Sequence, residues 1–406
     1  MGAAATRIRS IEVRLPRVSP AAVRKVALAA VVCYALLMVT GGAVRLTGSG
    51  LGCPDWPSCY HHRLTAQLSF NPMVEFLNRL VTVAVTVVSG LAFVAALARS
   101  PRRRDLLWLS GGLVGGVAGQ IVLGGIVVLT KLNPYLVACH FLLTIAVLAD
   151  AIVLFHRAGL GDAPEEQSSV QLVGTELKWL GCILVGVLGV VTSIGTVVTG
   201  SGPHAGAPQT LSDPIKRIPI AFRDIAVLHS DAALFLIGIT LASLFAFHVA
   251  RAPTNVQRRI RWLFELMVLQ GTLGYTQYFL HDAAAVVEVH IAGATMLWVA
   301  GVGFLLSLHG HAERPAVAGA EAASSFAVVG APATEVVSAV NGAPATEVVS
   351  AVEGGTDGRS DSAAVPEGGE SLGTVTAGGG GTDSRRGSAV PEPGEAGQPR
   401  KAVRTT

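Results

Sequence analysis

Residues up to about 310 spell one four-helix unit twice. Val39-Thr40 through Thr47-Gly48-Ser49-Gly50 returns as Val191-Thr192 through Thr199-Gly200-Ser201-Gly202. Gln120, Leu123, Gly124 and His140 recur with the same internal spacing as Gln270, Leu273, Gly274 and His290. Asn78, in Phe76-Leu77-Asn78-Arg79, falls opposite His229 in Val227-Leu228-His229-Ser230. A duplicated membrane unit carries pseudo-symmetry, and with it two related sites.

The unit belongs in a bilayer. Hydrophobic residues make up 51% of the chain, charged residues only 14%, and the mean hydropathy is +0.55. A spanning helix needs about 20 mostly apolar residues. Eight runs qualify, at 26–46, 74–98, 106–130, 135–155, 179–199, 224–248, 262–280 and 287–308. The first is too long for a cleavable signal and no small-residue cleavage site follows it, so it is expected to stay as a span. The expected fold is an all-α polytopic membrane protein, with eight transmembrane helices in two pseudo-symmetric four-helix bundles. The divisions are a basic N-terminus (1–25), a first half (26–156), a linker (157–178), a second half (179–309) and a tail (310–406).

Net charge is only +3, so nucleic acid is not an expected partner. The basic residues matter by position. Arg7, Arg9, Arg14, Arg17, Arg24 and Lys25 precede the first run; Arg99 and Arg102 to Arg104 follow the second; Arg251, Arg258, Arg259 and Arg261 lie around the start of the seventh. The positive-inside rule puts these clusters, the linker and both termini in the cytoplasm of a cell-membrane protein. Lys216, Arg217 and Arg223 fall on the opposite side and are outweighed. Asn78, His140, His229 and His290 then lie near the outer ends of their helices. The tail is rich in Gly, Ala, Ser, Pro and Glu and repeats Ala331-Pro332-Ala333-Thr334-Glu335-Val336-Val337-Ser338-Ala339-Val340 at 343–352. Such a segment cannot bury enough apolar surface to offset its ordering entropy and is expected to be disordered.

His229 and His290 are the leading pair. Polar side chains within membrane helices are costly and mark function, and two neutral imidazoles on facing helices give six-coordinate heme iron. The plain alternative is that each imidazole bonds a carbonyl; recurrence at matched places favours ligation. His140 offers the first half one such ligand, and Asn78, a poor iron ligand, leaves a second position open. His61 and His62 could approach that site or sit solvated in the loop. Glu75, one turn from Asn78, could move protons or simply favour a helix N-terminus. Arg45, Arg79 and His204 are candidate propionate contacts, with snorkelling and loop packing as the alternatives.

Five cysteines are present. In Cys53-Pro54-Asp55-Trp56-Pro57-Ser58-Cys59 the outer location favours a disulfide. A ring this small stabilises by only roughly 2 kcal/mol, so a redox or docking role stands beside that of a structural clip. Cys33, Cys139 and Cys182 lie in apolar runs and read as core thiols. Gly112/Gly116 and Gly115/Gly119 have the spacing of close helix packing.

Thr47-Gly48-Ser49-Gly50-Leu51-Gly52 leading into the cysteine loop resembles the heme A synthase family. So do the Glu75-Phe76-Leu77-Asn78-Arg79 segment and Gly200-Ser201-Gly202-Pro203-His204-Ala205-Gly206. The resemblance covers residues 24–310. It implies oxidation of the C8 methyl of heme O to a formyl group, through two hydroxylations and loss of water, to give heme A for terminal oxidase assembly. It implies a heme b cofactor held by His229 and His290, a substrate heme near His140 and Glu75, and a functional pair in Cys53 and Cys59. A heme O synthase as supplier, a membrane electron donor such as a quinol, and a homo-oligomer are the partners to consider. Asn78 departs from the pattern, since many members carry a histidine there. Two other classes compete: a membrane cytochrome b passing quinol electrons, and a non-catalytic heme carrier or oxidase assembly factor.

The composition of the tail generates a prediction. A chain truncated after about residue 315 inserts in the membrane and yields as much heme A as the full chain; loss of heme A from an inserted truncation would give the tail a catalytic role.

Overall fold

The computed structural model describes residues 16–60, 63–162, 170–207 and 215–310. The expectations for Arg7, Arg9, Arg14, His61, His62, most of the linker and the tail lie outside the described residues. Among the described residues eight helices carry the fold: α1 (Pro20–Leu46), α2 (Phe70–Ala98), α3 (Arg104–Leu129), α4 (Pro134–Ala158), α5 (Thr175–Ser201), α6 (Phe222–Val249), α7 (Thr254–Phe279) and α8 (Ala284–Ser307). A short antiparallel ladder, β1 (Val170–Gln171) with β2 (His309–Gly310), ties the linker to the end of α8.

The protein is a multi-pass membrane protein. Seven of the eight helices are long and apolar enough to cross a bilayer. The expected eighth span, at 262–280, is part of α7, which is less apolar than the others: Arg258, Arg259 and Arg261 precede that stretch, and Glu265, Gln270 and Gln277 lie within it. Leu28, Val32 and Leu36 on α1 and Leu80, Val83, Val87, Leu91 and Val94 on α2 are exposed, as lipid-facing side chains must be. Trp108, Trp179 and Trp262 are exposed near the starts of α3, α5 and α7, the level at which indoles settle at a membrane interface.

Local chemistry sets the helix ends. Ser19 caps α1 by accepting from the Ala22 amide at 3.3 Å, with Pro20 in the first turn. Asn133 caps α4 from the Tyr135 amide at 3.1 Å, with Pro134 next. Two tight corners show the duplication directly. Lys131 and Leu132 (φ 54° and 60°) join α3 to α4, and His281 and Asp282 (φ 52° and 57°) join α7 to α8 at matched positions. Four non-glycine residues in left-handed backbone cost energy that only a demanding turn repays.

Within the first set, α1 packs on α2 and α4, and α3 packs on α2 and α4. The second repeats this: α5 on α6 and α8, α7 on α6 and α8. The sets meet through α1 and α4 on α8 and through α4 on α5. Tyr34, Leu113, Leu148 and Leu154 belong to one apolar core, and Leu184, Phe247, Leu263 and Phe304 to another. Gly112 and Gly116 turn to Asp150 and Val147 of α4, while Gly115 faces open space. The glycine pairing is therefore a close contact at 112/116, whereas at 115/119 only Gly119 meets α4, at Leu143. Cys139 is exposed rather than a core thiol, because it neighbours His140 on the helix and so points elsewhere; Cys33 and Cys182 are half-buried.

The basic end is braced by arginines. Arg99, 2% exposed, donates to the Pro101 carbonyl and to Asp162, both at 2.7 Å. Arg103 pairs with Asp105 at 2.6 Å and donates to the Leu160 carbonyl at 3.2 Å.

A Cβ at Gly116 would come within 2.5 Å of Val147, whereas one at Gly115 meets nothing within 4 Å. Gly116→Leu should therefore destabilise the fold by about 1–3 kcal/mol through overpacking. Gly115→Leu should not. Thermal unfolding in detergent separates the two; equal midpoints would refute the packing assignment.

Candidate functional site

Three of the four matched positions carry an imidazole, and each imidazole rests on a glycine of the preceding helix. A Cβ would lie 3.2 Å from His140 Cε1 if added at Gly124, 3.3 Å from His290 Cε1 at Gly274, and 3.1 Å from His229 Cε1 at Gly195. Any larger residue would push the rings aside. Glutamines brace two of them from behind. Gln120 Nε2 donates to the His140 carbonyl at 3.1 Å and to Thr144 Oγ1 at 2.9 Å, and Gln270 Nε2 donates to the His290 carbonyl at 2.7 Å.

His229 and His290 come together across the second set, with ring centroids 6.5 Å apart and planes at 72°. That separation accommodates a metal ion between two imidazoles, each bonded at about 2 Å. The Nδ1 atoms of His140 and His290 are buried without a hydrogen-bond partner among the described residues, as is that of His229, whose ring approaches the Val191 carbonyl. Buried polar atoms without partners are rare and ask for an explanation. Imidazoles seated on glycine, two of them facing one another, fit an iron-porphyrin.

Asn78 and Thr40 form a different arrangement in the first set: Thr40 Oγ1 donates to Asn78 Oδ1 at 2.8 Å. Trp56 of the cysteine loop lies on α3, so close to Gly125 that a Cβ there would come within 2.7 Å of its indole. It thus reaches the helix position next to the seat of His140.

Cys53 and Cys59 are joined in a disulfide and are 0% and 1% exposed. Their loop is held by Arg79 and Glu75. Arg79 Nη2 donates to the Cys53 carbonyl at 2.9 Å and to Glu75 at 2.7 Å, and its Nη1 donates to the carbonyls of Asp55 and Ser58 at 3.2 and 2.9 Å. The other oxygen of Glu75 accepts from the Cys53 amide at 2.7 Å. Glu75 is 5% exposed, so the pair is a desolvated ion pair with the remaining lone pairs met by the loop.

The remaining candidates also serve the loops. Arg45 donates to the carbonyls of His204 and Thr199, both at 2.9 Å, and so bridges the two sets. His204 Nε2 meets the Asp282 carbonyl at 2.8 Å. The Gly50 amide donates to the Gly206 carbonyl at 2.7 Å, an approach that a side chain at Gly50 would block. Sequence reasoning weighed propionate contact for Arg45, Arg79 and His204 against snorkelling and loop packing; it did not show that backbone carbonyls, which no motif advertises, meet these donors. It also missed Glu288 on α8, whose carboxylate oxygens are buried without a partner among the described residues. A lone charge in an apolar run two residues before His290 was the available signal. Asp231 is exposed.

The family model of the cytochrome oxidase assembly proteins, COX15-CtaA, matches residues 24–302. Among curated relatives, a protein of Geobacillus thermodenitrificans named heme A synthase is 34% identical over 27% of this chain and 35% of its own length. A Lysinibacillus sphaericus protein of the same name is 36% identical over 28% of this chain and 38% of its own. A Sinorhizobium fredii heme A synthase is 25% identical over 71% of this chain and 90% of its own. The chain thus spans little more than a third of the length of the first two relatives and most of the third.

The arginine clamp predicts a measurable effect. Arg79→Ala frees three loop carbonyls and leaves Glu75 without its counter-charge, so the loop should open locally. The disulfide should then reduce at least tenfold faster in detergent, read by thiol labelling after a reductant pulse. Arg79→Lys should restore little of the protection, because an ammonium cannot span the fork. An unchanged reduction rate in Arg79→Ala would mean that something else shields the bond.

Proposed function

This chain belongs to the COX15-CtaA family of cytochrome oxidase assembly proteins, and from that premise we propose that it is a heme A synthase. In this reading it is a membrane oxidoreductase that converts the C8 methyl of heme O to a formyl group, giving heme A for terminal oxidase assembly. The observation that carries the proposal is the set of three glycine-seated imidazoles at matched helix ends, two facing each other and one alone. The names of the curated relatives support the reaction.

We assign the substrate heme to residues 26–156 and a heme b cofactor to 179–309, each half a four-helix bundle, with α7 also crossing the bilayer. His229 and His290 would hold heme b. When bound, that group supplies one-electron transfer. His140 would hold the iron of heme O and, fixed by Gln120 and Gly124, orient the macrocycle. Glu75 is the proposed proton-handling carboxylate. Held on both oxygens by the Cys53 amide and Arg79, it would act from a fixed position beside the loop. The disulfide loop, with Trp56 on α3, would limit water near the reacting methyl. Arg45, Arg79 and His204 brace the loops in this reading, with propionate contact secondary. The arginine clusters support cytoplasmic termini in the plasma membrane, with the site toward the outer face. Heme O would arrive from a heme O synthase and electrons from a membrane donor such as a quinol.

Mass analysis of hemes extracted after co-expression with a heme O supply tests the proposal. The wild-type chain should yield heme A. His229→Ala and His290→Ala should each lose the low-spin heme b spectrum. Glu75→Ala should keep that spectrum while heme A formation falls at least a hundredfold, the scale of a lost acid–base group. Unaltered heme O from the wild-type chain would overturn the activity. A low-spin spectrum retained in both histidine variants would overturn the heme b assignment. Normal heme A from Glu75→Ala would leave the carboxylate only its hold on the loop.

A further inference from the structure

We infer that Asn78 is a hydrogen-bond donor on an open face of the first-half heme iron, where the iron takes a small ligand, a diatomic molecule or an anion. The inference rests on the reading that the first half binds heme and goes beyond it by assigning the side of the iron opposite His140.

Two coupled differences between the halves carry the argument. Asn78 stands where the second half has His229, and Ala43 stands where it has Gly195, the residue on which His229 rests. A Cβ at Gly195 would lie 3.1 Å from His229 Cε1. Ala43 carries that carbon, so an imidazole at position 78 would meet it. The second ligand and its seat are thus missing together. The companion seat is intact: His140 keeps Gly124 and the Gln120 brace. Helices α2 and α4 stand across the first set as α6 and α8 stand across the second, where the two imidazoles meet. Asn78 therefore holds the place across from His140 that His229 holds across from His290.

The orientation of Asn78 follows from Thr40. Thr40 Oγ1 donates to Asn78 Oδ1 at 2.8 Å and lies farther, at 3.4 Å, from the Leu37 carbonyl of its own helix, whereas its counterpart Thr192 donates to the Leu188 carbonyl of its own helix at 2.8 Å. With the amide oxygen engaged, the planar group directs its NH2 the other way. That nitrogen has no acceptor among the described residues. A carboxamide is a poor iron ligand, but its N–H bonds well to an acceptor atom bound to iron. It carries no charge, so it admits neutral and anionic ligands alike.

Cyanide is the probe, titrated into the purified ferric full-length chain loaded with heme and followed by absorbance. One of two hemes per chain should bind it, and His140→Ala should abolish that fraction while lowering heme content. Asn78→Val should raise the cyanide dissociation constant about tenfold, as loss of a hydrogen bond to a charged ligand does. Thr40→Val should raise it by a smaller factor. Asn78→His alone should leave cyanide binding in place, because Ala43 blocks the ring. Ala43→Gly with Asn78→His should add a second low-spin spectrum and eliminate cyanide binding. An unchanged constant in Asn78→Val, or a complete low-spin site from Asn78→His alone, would overturn the inference. Heme content unaffected by His140→Ala would instead overturn the underlying reading of the first half.

Discussion

The fold depends on how a polar ring is accommodated inside a lipid-embedded helix set. An imidazole facing the interior of such a set needs room and a partner, and in hydrocarbon neither comes from water. The room comes from glycine on the neighbouring helix: Gly124, Gly195 and Gly274 each lack the carbon that would collide with a ring edge. Rigidity comes from Gln120 and Gln270, which reach across to the His140 and His290 carbonyls. Both glutamines have a buried Oε1 without a partner among the described residues.

The loops beyond the helix ends obey the same rule with the charges reversed. Their carbonyls cannot all find amides in a short irregular segment, so half-buried arginines serve them. Arg79 collects the cysteine loop, and Arg45 collects the loop after α5 while anchored on α1. The Gly50 to Gly206 hydrogen bond and the His204 contact with the left-handed corner at Asp282 complete the tie. The two halves are thus joined at this end by polar contacts of named residues, and deeper in the membrane by Trp298 donating to the Ile145 carbonyl at 3.1 Å. A change in the cysteine loop therefore reaches the first helix set through α2, and a change after α5 reaches it through α1.

Much of this was legible because duplication compares a sequence with itself. The helix spans, the three histidines and the odd Asn78 all emerge when the halves are aligned, and the cysteine pair reads from its outer position. What stayed hidden depends on direction rather than identity. Arg79 is equally compatible with a propionate and with three loop carbonyls, and only the path of the loop decides between them. Gly124, Gly195 and Gly274 look like ordinary membrane glycines until the rings lie on them. Seven helices rather than eight pass as clear spans because Glu265, Gln270 and Gln277 lie within the apolar stretch of α7 and three arginines precede it. Cys139 reads as a core thiol in sequence because an apolar run does not reveal which face a residue takes.

Divergence between the halves is concentrated on one side. From α3 to α4 and from α7 to α8 the glutamine, the glycine, the histidine and the left-handed corner all agree, although Glu288 stands opposite Ala138, and Thr144 and Asp150 stand opposite Ala294 and Ala300. From α1 to α2 and from α5 to α6 the contents differ. Ala43 and Asn78 replace Gly195 and His229, Tyr34 bound to Ser89 replaces Gly186 and Thr240, and a disulfide loop replaces the segment around His204. Two six-coordinate irons would do the same work twice. Under the proposed function, keeping one helix pair constant would preserve the depth and orientation at which each half receives a porphyrin, and varying the other pair would change what the iron can do there. A duplicated scaffold would in that way separate electron delivery from reaction while both centres stay in register, and the residues that would separate them lie on the pair of helices joined by the cysteine loop.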